Sequence, residues 1–436
     1  MKLLRAGCII SHDDQHQRHP RDPGYGEGCG YISSTKPTLI VMIITLVISL
    51  DVVAAPGFAS QETSFSQPNA EVMVDLNKFE YNLRKLQNYV MTENSHRERQ
   101  AEICAVMKSN AYGHGLEGLI PSMIQNNISC IAITSNKEAK IVRENDYKGR
   151  LIRIRAATRE EMREAVIKFG VEELIGTLKQ AAFLSEIADE SKKTISVHLA
   201  LNSAGMGRNG LDVSTKEGAK EAKKIVNLPG VKLVGIMTHF PGKPDIAIVK
   251  QFNKEANAII SDNKLIRDDI TLHIASSLAA LSLPDSHLDM IRTGRLLYGL
   301  FLPEDSHYLG VLSFRTSVAS IHNFYKDSPV GYGGKTIVEK GTVLANLPVG
   351  FSDGYPLEGS QVLINGQRAK VIGGVSMNTI MVDVTHIDNI NPGDEVVLFG
   401  SQGDKQITMD EIKPSPMNYF FWGMLNPIRY IREPVE

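Results

Sequence analysis

Residues 102–108, EICAVMK, form a short run of apolar and β-branched side chains that ends on a lysine. Seven similar runs follow, and segments whose apolar residues recur with helical periodicity separate them. Strand and helix patterns that alternate in eight units over about 230 residues are typical of a (β/α)8 barrel, so we predict an α/β fold that begins with such a barrel. The eight predicted strands are EICAVMK (102–108), CIAIT (130–134), LIRIRA (151–156), ELIG (173–176), SVHLALN (196–202), LVGIMTH (233–239), TLHIASS (271–277) and DMIRTG (289–294).

Polar side chains stand at the carboxyl ends of most of these runs, where barrels of this type carry their active sites. Strand ends also face water, which by itself favours polar residues. A lysine, a histidine and two arginines at four different strand ends exceed what solvation requires, so we predict a functional site there. The residues are Lys108, Thr134, Arg155, Asn202, His239, Ser276, Ser277 and Arg292.

The pattern changes after Phe301, where short strands alternate with turns rich in Gly, Pro and Asp. Asn-Gly at 365–366 and Asn-Pro-Gly at 391–393 are typical hairpin turns. We therefore predict two domains: the barrel at 71–304 and a mainly β domain at 305–436.

The first 70 residues have a different character. Residues 1–35 are polar and rich in turn-forming residues, and we expect a disordered tail. Lys36, the uncharged and mostly aliphatic residues 37–50 and the small residues that follow match a signal peptide at 36–59, with a linker at 60–70. The apolar core is shorter than the roughly 20 residues that span a bilayer, so we expect export and cleavage without a stable membrane anchor. An uncleaved anchor is the alternative.

Composition excludes several classes of function. With 47 basic and 49 acidic residues the formal charge is −2, which leaves no basic surplus for nucleic acid. No Cys and His cluster has the spacing of a zinc site, and we expect no metal. An exported chain would retain Cys104 and Cys130 of its four cysteines. We predict that these two form a disulfide, the alternative being two buried thiols in neighbouring strands.

The decisive motif is VMKSNAYGHG (106–115), in which a lysine at a strand end precedes small residues, a tyrosine and two glycines. Such a lysine can hold an aldehyde cofactor as a Schiff base. The motif closely resembles the pyridoxal phosphate (PLP) lysine motif of the alanine racemase family. That resemblance implies that Lys108 carries PLP and that Tyr112 contacts its phosphate.

Further blocks resemble the same family, in the same order, across nearly the whole chain after the predicted signal peptide. They are GMGRNG (205–210) with Arg208, MTHF (237–240) with His239, HIASSLAAL (273–281) with Ser277, RTGRLLYG (292–299) with Arg292, Gly294 and Arg295, VGYGGKT (330–336) with Tyr332, and SMNTIMVDVT (376–385) with Met377.

The resemblance also implies roles for these residues. Arg208 would face the cofactor's phenolic oxygen and the substrate, His239 would lie beside the ring, and Met377 would line the substrate pocket. Ser277, Gly294 and Arg295 would hold the phosphate. Arg292 would meet the pyridine nitrogen and keep it unprotonated, because a fixed positive charge disfavours a second one nearby.

Racemisation requires a proton to leave one face of Cα and to return to the other, so two bases are needed. The resemblance implies that Lys108 and Tyr332 are these bases and that the tyrosine enters from the other subunit. We therefore expect an obligate homodimer with shared active sites that acts on free amino acids.

Some residues depart from the usual alanine racemase pattern. In HLALNSAGMGR (198–208), Ala200 replaces a lysine, Asn202 replaces an aspartate and one residue is inserted. Together with the export signal, these departures resemble the periplasmic broad-specificity amino-acid racemases, so we predict a periplasmic enzyme that also accepts basic amino acids. Tyr419 and Tyr430 are the candidates for the tyrosine that touches phosphate in alanine racemases.

Three alternatives compete with this interpretation. The first is a strict alanine racemase. The second is a decarboxylase of the same architecture, which normally has a glutamate at the pyridine nitrogen and a cysteine in the β domain. Arg292 and the lack of cysteine after residue 305 argue against it. The third is a non-catalytic PLP-binding protein, which the β domain with Tyr332 disfavours.

Overall fold

The computed structural model describes residues 68–358, 361–412 and 419–435. The predicted tail, the signal peptide and most of the linker lie outside these residues. Within the described residues, no helix has the length and apolar character that crossing a membrane requires.

All eight predicted barrel strands are present, which confirms the (β/α)8 barrel. Two parallel four-stranded sheets run in the orders β4-β3-β2-β9 and β5-β6-β7-β8. A bridge between Ile152 and Glu172 joins one pair of sheet edges, and backbone hydrogen bonds from Asp289 to Leu272 and from Arg292 to Ala275 join the other. The strands are β2 Glu102–Val106, β3 Cys130–Ile133, β4 Arg150–Arg153, β5 Glu173–Ile175, β6 Ile195–Ala200, β7 Val231–Met237, β8 Thr271–His273 and β9 Met290–Thr293.

Helices surround the barrel and bury the outward faces of its strands. Residues Ile103 and Ala105 of β2 pack into the large core beneath the helices, whereas Cys104 and Val106 pack inside the barrel with Met290. Strands buried on both faces explain the nearly continuous apolar runs in the sequence. The helices are α1 Leu76–Glu93, α2 Leu116–Gln125, α3 Asn136–Glu144, α4 Arg159–Glu164, α5 Leu178–Ser191, α6 Lys216–Val226, α7 Ile246–Asp262, α8 Ser277–Ser282, α9 Arg295–Tyr298 and, after the β domain, α10 Tyr419–Leu425.

The chain after the barrel is mainly β, as predicted. Its largest sheet has the order β11-β14-β17-β16-β15-β18-β10-β1-β20, and β19 pairs with β18. A separate hairpin, β12 and β13, precedes β14. The strands are β10 Leu312–Ser317, β11 Ser320–Asn323, β12 Ser328–Val330, β13 Thr336–Val338, β14 Val343–Leu347, β15 Gln361–Ile364, β16 Gln367–Ile372, β17 Ile380–Asp383, β18 Glu395–Gln402, β19 Lys405–Ile407 and β20 Ile428–Ile431.

The first strand, β1 Ala70–Asp75, belongs to this C-terminal sheet, although the sequence boundary assigned residues 71–304 to the barrel. It pairs antiparallel with β10 and parallel with β20. Asp75 then caps α1, whose Asn82 donates to the carbonyl oxygens of Leu297 and Leu309. Residues 70–93 therefore connect the two parts of the fold: β1 belongs to the C-terminal sheet, and the helix α1 that follows it directly is hydrogen-bonded to the end of the barrel region.

The two cysteines lie inside the barrel on neighbouring strands. Cys104 stands directly opposite Cys130 in the β2–β3 register, their Cα atoms are 4.4 Å apart, and their sulfur atoms are bonded. Both side chains are fully buried. Parallel pairing of the first two barrel strands thus satisfies the Cα separation that a disulfide needs.

We expect this disulfide to form under oxidising conditions and to stabilise the protein. In a Cys8→Ser/Cys29→Ser background, protein denatured without reductant should show no free thiol by mass labelling, and reduction should expose two. Replacing both remaining cysteines by alanine should lower the free energy of unfolding by about 3.5 kcal/mol, because the bond closes a loop with a sequence separation of 26 residues. Two labelled thiols before reduction would contradict the prediction.

Candidate active site at the barrel mouth

Lys108 follows β2 at the carboxyl end of the barrel and is partly buried. Its ammonium lies 5.6 Å from the centroid of the Tyr112 ring and has no hydrogen bond or ion pair with another described residue. Burial, and next the positive charge of Arg208, lower the pKa of Lys108. An amine in this setting loses its proton more readily than an exposed lysine.

The residues after Lys108 form a left-handed turn. Ser109, Asn110, Ala111 and Tyr112 all have φ of 54–55°. Left-handed backbone costs roughly 1–2 kcal/mol for each residue that carries a Cβ. Other contacts must therefore stabilise this turn.

Glu138 supplies the principal contacts. One carboxylate oxygen accepts the backbone N–H of Ser109 at 2.6 Å, and the other accepts those of Thr134 at 2.7 Å and Ser135 at 3.0 Å. Ser135 and Glu138 also form the capping box of α3. We did not predict this residue, although the S-x-x-E pattern at 135–138 marks it as a helix cap. The buried carboxylate therefore joins the end of β3 to the lysine turn.

A small polar cradle lies beside this turn. The Ser277 hydroxyl is 2.9 Å from that of Thr293 and accepts the Gly294 N–H at 3.2 Å. A Cβ on Gly294 would lie 2.7 Å from the Tyr112 hydroxyl oxygen, so only glycine allows the approach. Burial raises the pKa of Tyr112 to about 12, which keeps its hydroxyl a donor at neutral pH. Hydroxyl groups arranged in this way suit the oxygens of a small anion.

Arg292 occupies the inside of the barrel. It is 5% exposed, and its guanidinium donates to the Thr238 carbonyl at 2.9 Å and to Nδ1 of His273 at 2.8 Å. Burial and the charge of Arg208 lower its pKa to about 9, so it stays protonated at neutral pH. Nδ1 of His239 lies 3.4 Å away, and burial together with these cations lowers the His239 pKa to about 3. The histidine is therefore neutral beside a fixed positive charge.

Arg208 is exposed, and its guanidinium has no hydrogen bond or ion pair within the described part of the chain. The loop before it is held by Asn202, whose side-chain oxygen accepts the Gly207 N–H at 2.8 Å and whose carbonyl accepts the Gly205 N–H at 2.8 Å. Asn202 thus shapes the loop rather than contacting the arginine. Ala200 packs against Leu174 and Met237 inside the barrel. The Arg295 guanidinium is also exposed and lies 5.5 Å from the centroid of the Phe301 ring.

Tyr332 and Met377 lie on the β domain and are 80% and 55% exposed. Gly331, next to Tyr332, packs against Gly373, the first residue of the segment 373–379 that carries Met377. The Tyr332 hydroxyl forms no hydrogen bond with any residue that the structure describes in its own chain. One chain therefore brings the barrel residues together and leaves these two side chains at a surface.

The two candidate phosphate-contacting tyrosines have other partners. The Tyr419 hydroxyl is 3.0 Å from Nε2 of His114 in a buried pair. The Tyr430 hydroxyl donates to the Gly115 carbonyl at 3.1 Å and accepts the Gly118 N–H at 3.3 Å. Both rings therefore support the segment that follows the lysine turn.

Comparison with known proteins gives consistent matches. The family model described as alanine racemase, N-terminal domain, matches residues 74–301, and that described as alanine racemase, C-terminal domain, matches 311–417. A broad specificity amino-acid racemase of Vibrio parahaemolyticus is 42% identical over 416 residues, which cover 92% of this chain and 100% of that protein. A lysine racemase of Proteus mirabilis is 40% identical over 369 residues, 82% of this chain and 88% of that protein.

Solved structures share the fold. The alanine racemase of a D-cycloserine producing Streptomyces lavendulae superposes with a TM-score of 0.74 at 23% identity, covering 85% of this chain and 98% of its own. That of Clostridium difficile 630 gives 0.73 at 24% identity, with 84% and 97% covered. The match of both family models and the identity to curated racemases lead to one conclusion. This chain belongs to the alanine racemase family and is an amino-acid racemase, an isomerase.

Proposed function

We propose that this racemase uses PLP held by Lys108, that Lys108 and Tyr332 exchange protons on opposite faces of Cα, and that the enzyme accepts basic as well as small amino acids. The observation that carries the proposal is the amine of Lys108, partly buried, without a described polar partner and held on a strained turn beside an anion cradle. Bound PLP would supply an electron-withdrawing ring that stabilises negative charge at Cα.

The residues present fit such a cofactor. Tyr112, Ser277 and Gly294 converge where a phosphate would be held, and the side chain of Arg295 adds a positive charge near Lys108. Arg208, without a described partner, is available to the phenolic oxygen and to the substrate carboxylate. The absence of a side chain at Gly294 lets the Tyr112 hydroxyl approach the Gly294 backbone beside the proposed phosphate position.

Arg292 is the residue proposed to face the nitrogen of the cofactor ring. Its guanidinium stays charged, and a cation disfavours a second proton on a nearby ring nitrogen. A bound ring would then be a weaker electron acceptor, and Arg292 would thereby limit the negative charge that Cα can carry. This favours racemisation over decarboxylation.

Two proton carriers are needed on opposite faces of Cα. The lowered pKa of Lys108 favours its neutral amine, which is the form that accepts a proton. Tyr332 is exposed on its own chain, which supports a role at the site of a partner subunit. The working enzyme is therefore proposed to be a homodimer in which each site uses Lys108 of one subunit and Tyr332 of the other.

The proposed substrate range rests on β6, the strand that leads into the loop of Arg208. Ala200 is small and apolar where the ordinary alanine racemase pattern has a lysine, which leaves space and removes a charge that would repel a cationic side chain. The relatives named as broad specificity and lysine racemases support this assignment. The buried disulfide is compatible with an oxidising compartment, and we propose a periplasmic location.

The first prediction concerns Lys108. Borohydride reduction of the protein loaded with PLP should fix the cofactor covalently to the peptide that contains Lys108. Lys108→Ala should lower kcat by at least about a thousandfold, because covalent attachment and one proton transfer are both lost. Lys137→Ala, on the exposed face of the adjacent helix α3, should keep both the label and the activity. A label on any other lysine would refute the assignment.

The second prediction concerns the shared site. Lys108→Ala and Tyr332→Phe should each be inactive as homodimers, whereas an equilibrated 1:1 mixture should recover about a quarter of the wild-type activity. Half of its dimers are mixed, and in a two-fold symmetric dimer each mixed dimer contains one intact site. A mixture without activity, in which native mass spectrometry shows mixed dimers, would assign Tyr332 to the site of its own chain.

The third prediction concerns specificity. The kcat/KM for lysine and arginine should fall within about 10³-fold of that for alanine, equivalent to about 4 kcal/mol of transition-state binding. Ala200→Lys should reduce kcat/KM for the basic substrates more than that for alanine, and Ala200→Ser serves as the small control. Greater discrimination in the wild-type protein would make it a strict alanine racemase.

A further inference from the structure

A chain of hydrogen bonds crosses the inside of the barrel from Arg292 towards its opposite end. Nη1 of Arg292 is 2.8 Å from Nδ1 of His273, Nε2 of His273 is 2.9 Å from Nδ1 of His198, and Nε2 of His198 is 2.7 Å from a carboxylate oxygen of Glu172. Both histidines are fully buried. Each of these four side chains is hydrogen-bonded to the next. We call this chain of Arg292, His273, His198 and Glu172 the relay.

The relay spans three strands because the middle one carries a glycine. His198 lies on β6 and His273 on β8, and β7 runs between them. Gly235 of β7 stands opposite His198 in the strand register, and a Cβ there would lie 2.1 Å from the His198 Nδ1 atom. Any side chain at this position would occupy the space of the hydrogen bond between the histidines. The barrel interior is therefore built to admit this contact.

The donor properties of arginine determine where every proton lies. A guanidinium only donates, so Nδ1 of His273 accepts, and its Nε2 carries the proton. That N–H donates to Nδ1 of His198, whose own Nε2–H then donates to Glu172. Burial lowers the pKa of both histidines, so each is neutral and has one N–H to place. Only one arrangement of protons satisfies all three hydrogen bonds.

Glu172 anchors the far end. Arg150 donates to both of its carboxylate oxygens, at 3.1 and 2.9 Å. Burial alone would raise the Glu172 pKa, but hydrogen bonds from His198 and Arg150 outweigh it and lower the pKa to about 2. Glu172 is therefore a carboxylate at neutral pH, and as a pure acceptor it requires the Nε2–H form of His198.

We propose that Glu172 is a positioning residue of this racemase, which acts through His198 and His273 to hold the Arg292 guanidinium in place inside the barrel. The inference rests on the proposed function for the role of Arg292 beside the cofactor ring, but not for the relay itself. Without an acceptor at 172, His198 is free to carry its proton on Nδ1. His273 would then be forced to carry its proton on Nδ1, facing a guanidinium that also donates. Arg292 would lose a partner and shift.

The test uses 15N-histidine NMR of the apoprotein, which reports the tautomer of each ring without cofactor or substrate. His198→Asn and His273→Asn variants assign the signals. In the wild-type protein both rings should be protonated on Nε2. In Glu172→Met, which keeps the side-chain length but removes the acceptor, His273 should gain a population protonated on Nδ1. A wild-type ring protonated on Nδ1 would overturn the proposal, whether or not the protein racemises amino acids.

Kinetics of the PLP-loaded protein separate positioning from stability. Glu172→Met should lower kcat by about tenfold or more with a smaller effect on KM, and Glu172→Gln, which retains an acceptor oxygen, should recover part of the loss. The matched control is Glu102→Met, which removes the other carboxylate partner of Arg150, bonded at 2.8 Å, without touching His198. Equal kcat and equal tautomers in Glu172→Met and Glu102→Met would show that Glu172 is only structural.

Gly235→Ala gives an independent check from the other side of the relay. The added Cβ should separate the two histidines, so it should change the His273 tautomer and lower kcat while Glu172 stays intact. If Gly235→Ala folds and leaves both the tautomers and kcat at wild-type values, the hydrogen bond between the histidines does not position Arg292, and the proposal is wrong.

Discussion

Four consecutive residues after Lys108 have left-handed backbone angles although none of them is a glycine, and the geometry of the site depends on keeping them there. Such a turn is unfavourable on its own, since each of these residues carries a Cβ. Glu138 offsets this cost with hydrogen bonds to the turn and to the end of β3, and the Asn110 side chain adds one more by accepting the Leu116 N–H at 2.9 Å. The turn brings Tyr112 back under the lysine amine and against Gly294. Contacts with the surrounding barrel residues therefore hold the turn at 109–112 in its strained conformation.

The second constraint is electrostatic. Lys108, Arg208 and Arg292 lie close enough that each lowers the pKa of another group, and neither Lys108 nor Arg208 has an ion-pair partner among the described residues. Cations grouped in this way repel one another unless an anion completes the site. A phosphate and a carboxylate would be suitable anions, and the hydroxyl cradle of Tyr112 and Ser277 would suit the first of them. Glu172 lies at the far end of the relay, where its charge stabilises the arrangement without entering the pocket.

The same arrangement bears on the alternative functions. A decarboxylase benefits from a strong electron acceptor, which a carboxylate near the ring nitrogen provides by stabilising a proton there. Here the family resemblance assigns the buried guanidinium of Arg292 to the position beside the ring nitrogen. That guanidinium is hydrogen-bonded to His273 and to the carbonyl oxygen of Thr238. A protein that only bound the cofactor would not need the relay that we propose to position Arg292. Both observations agree with membership of a family of racemases.

The strand and helix pattern of the barrel could be read directly from the sequence, because strands buried on both faces are apolar throughout and the intervening helices have a different period. The lysine motif was equally informative because it resembles a specific family motif, and its glycines at 113 and 115 have φ of 82° and 81° in the structure. The assignment of β1 to the C-terminal sheet was not predictable in this way, because its partners β10 and β20 lie more than two hundred residues away. Glu138 and the relay of His198, His273 and Glu172 also came only from the tertiary structure. These residues lie on different elements of the barrel, far apart in the sequence. Their spacing along the chain therefore does not indicate which of their side chains are in contact. It also does not show that Gly235 leaves the space for the contact between the two histidines.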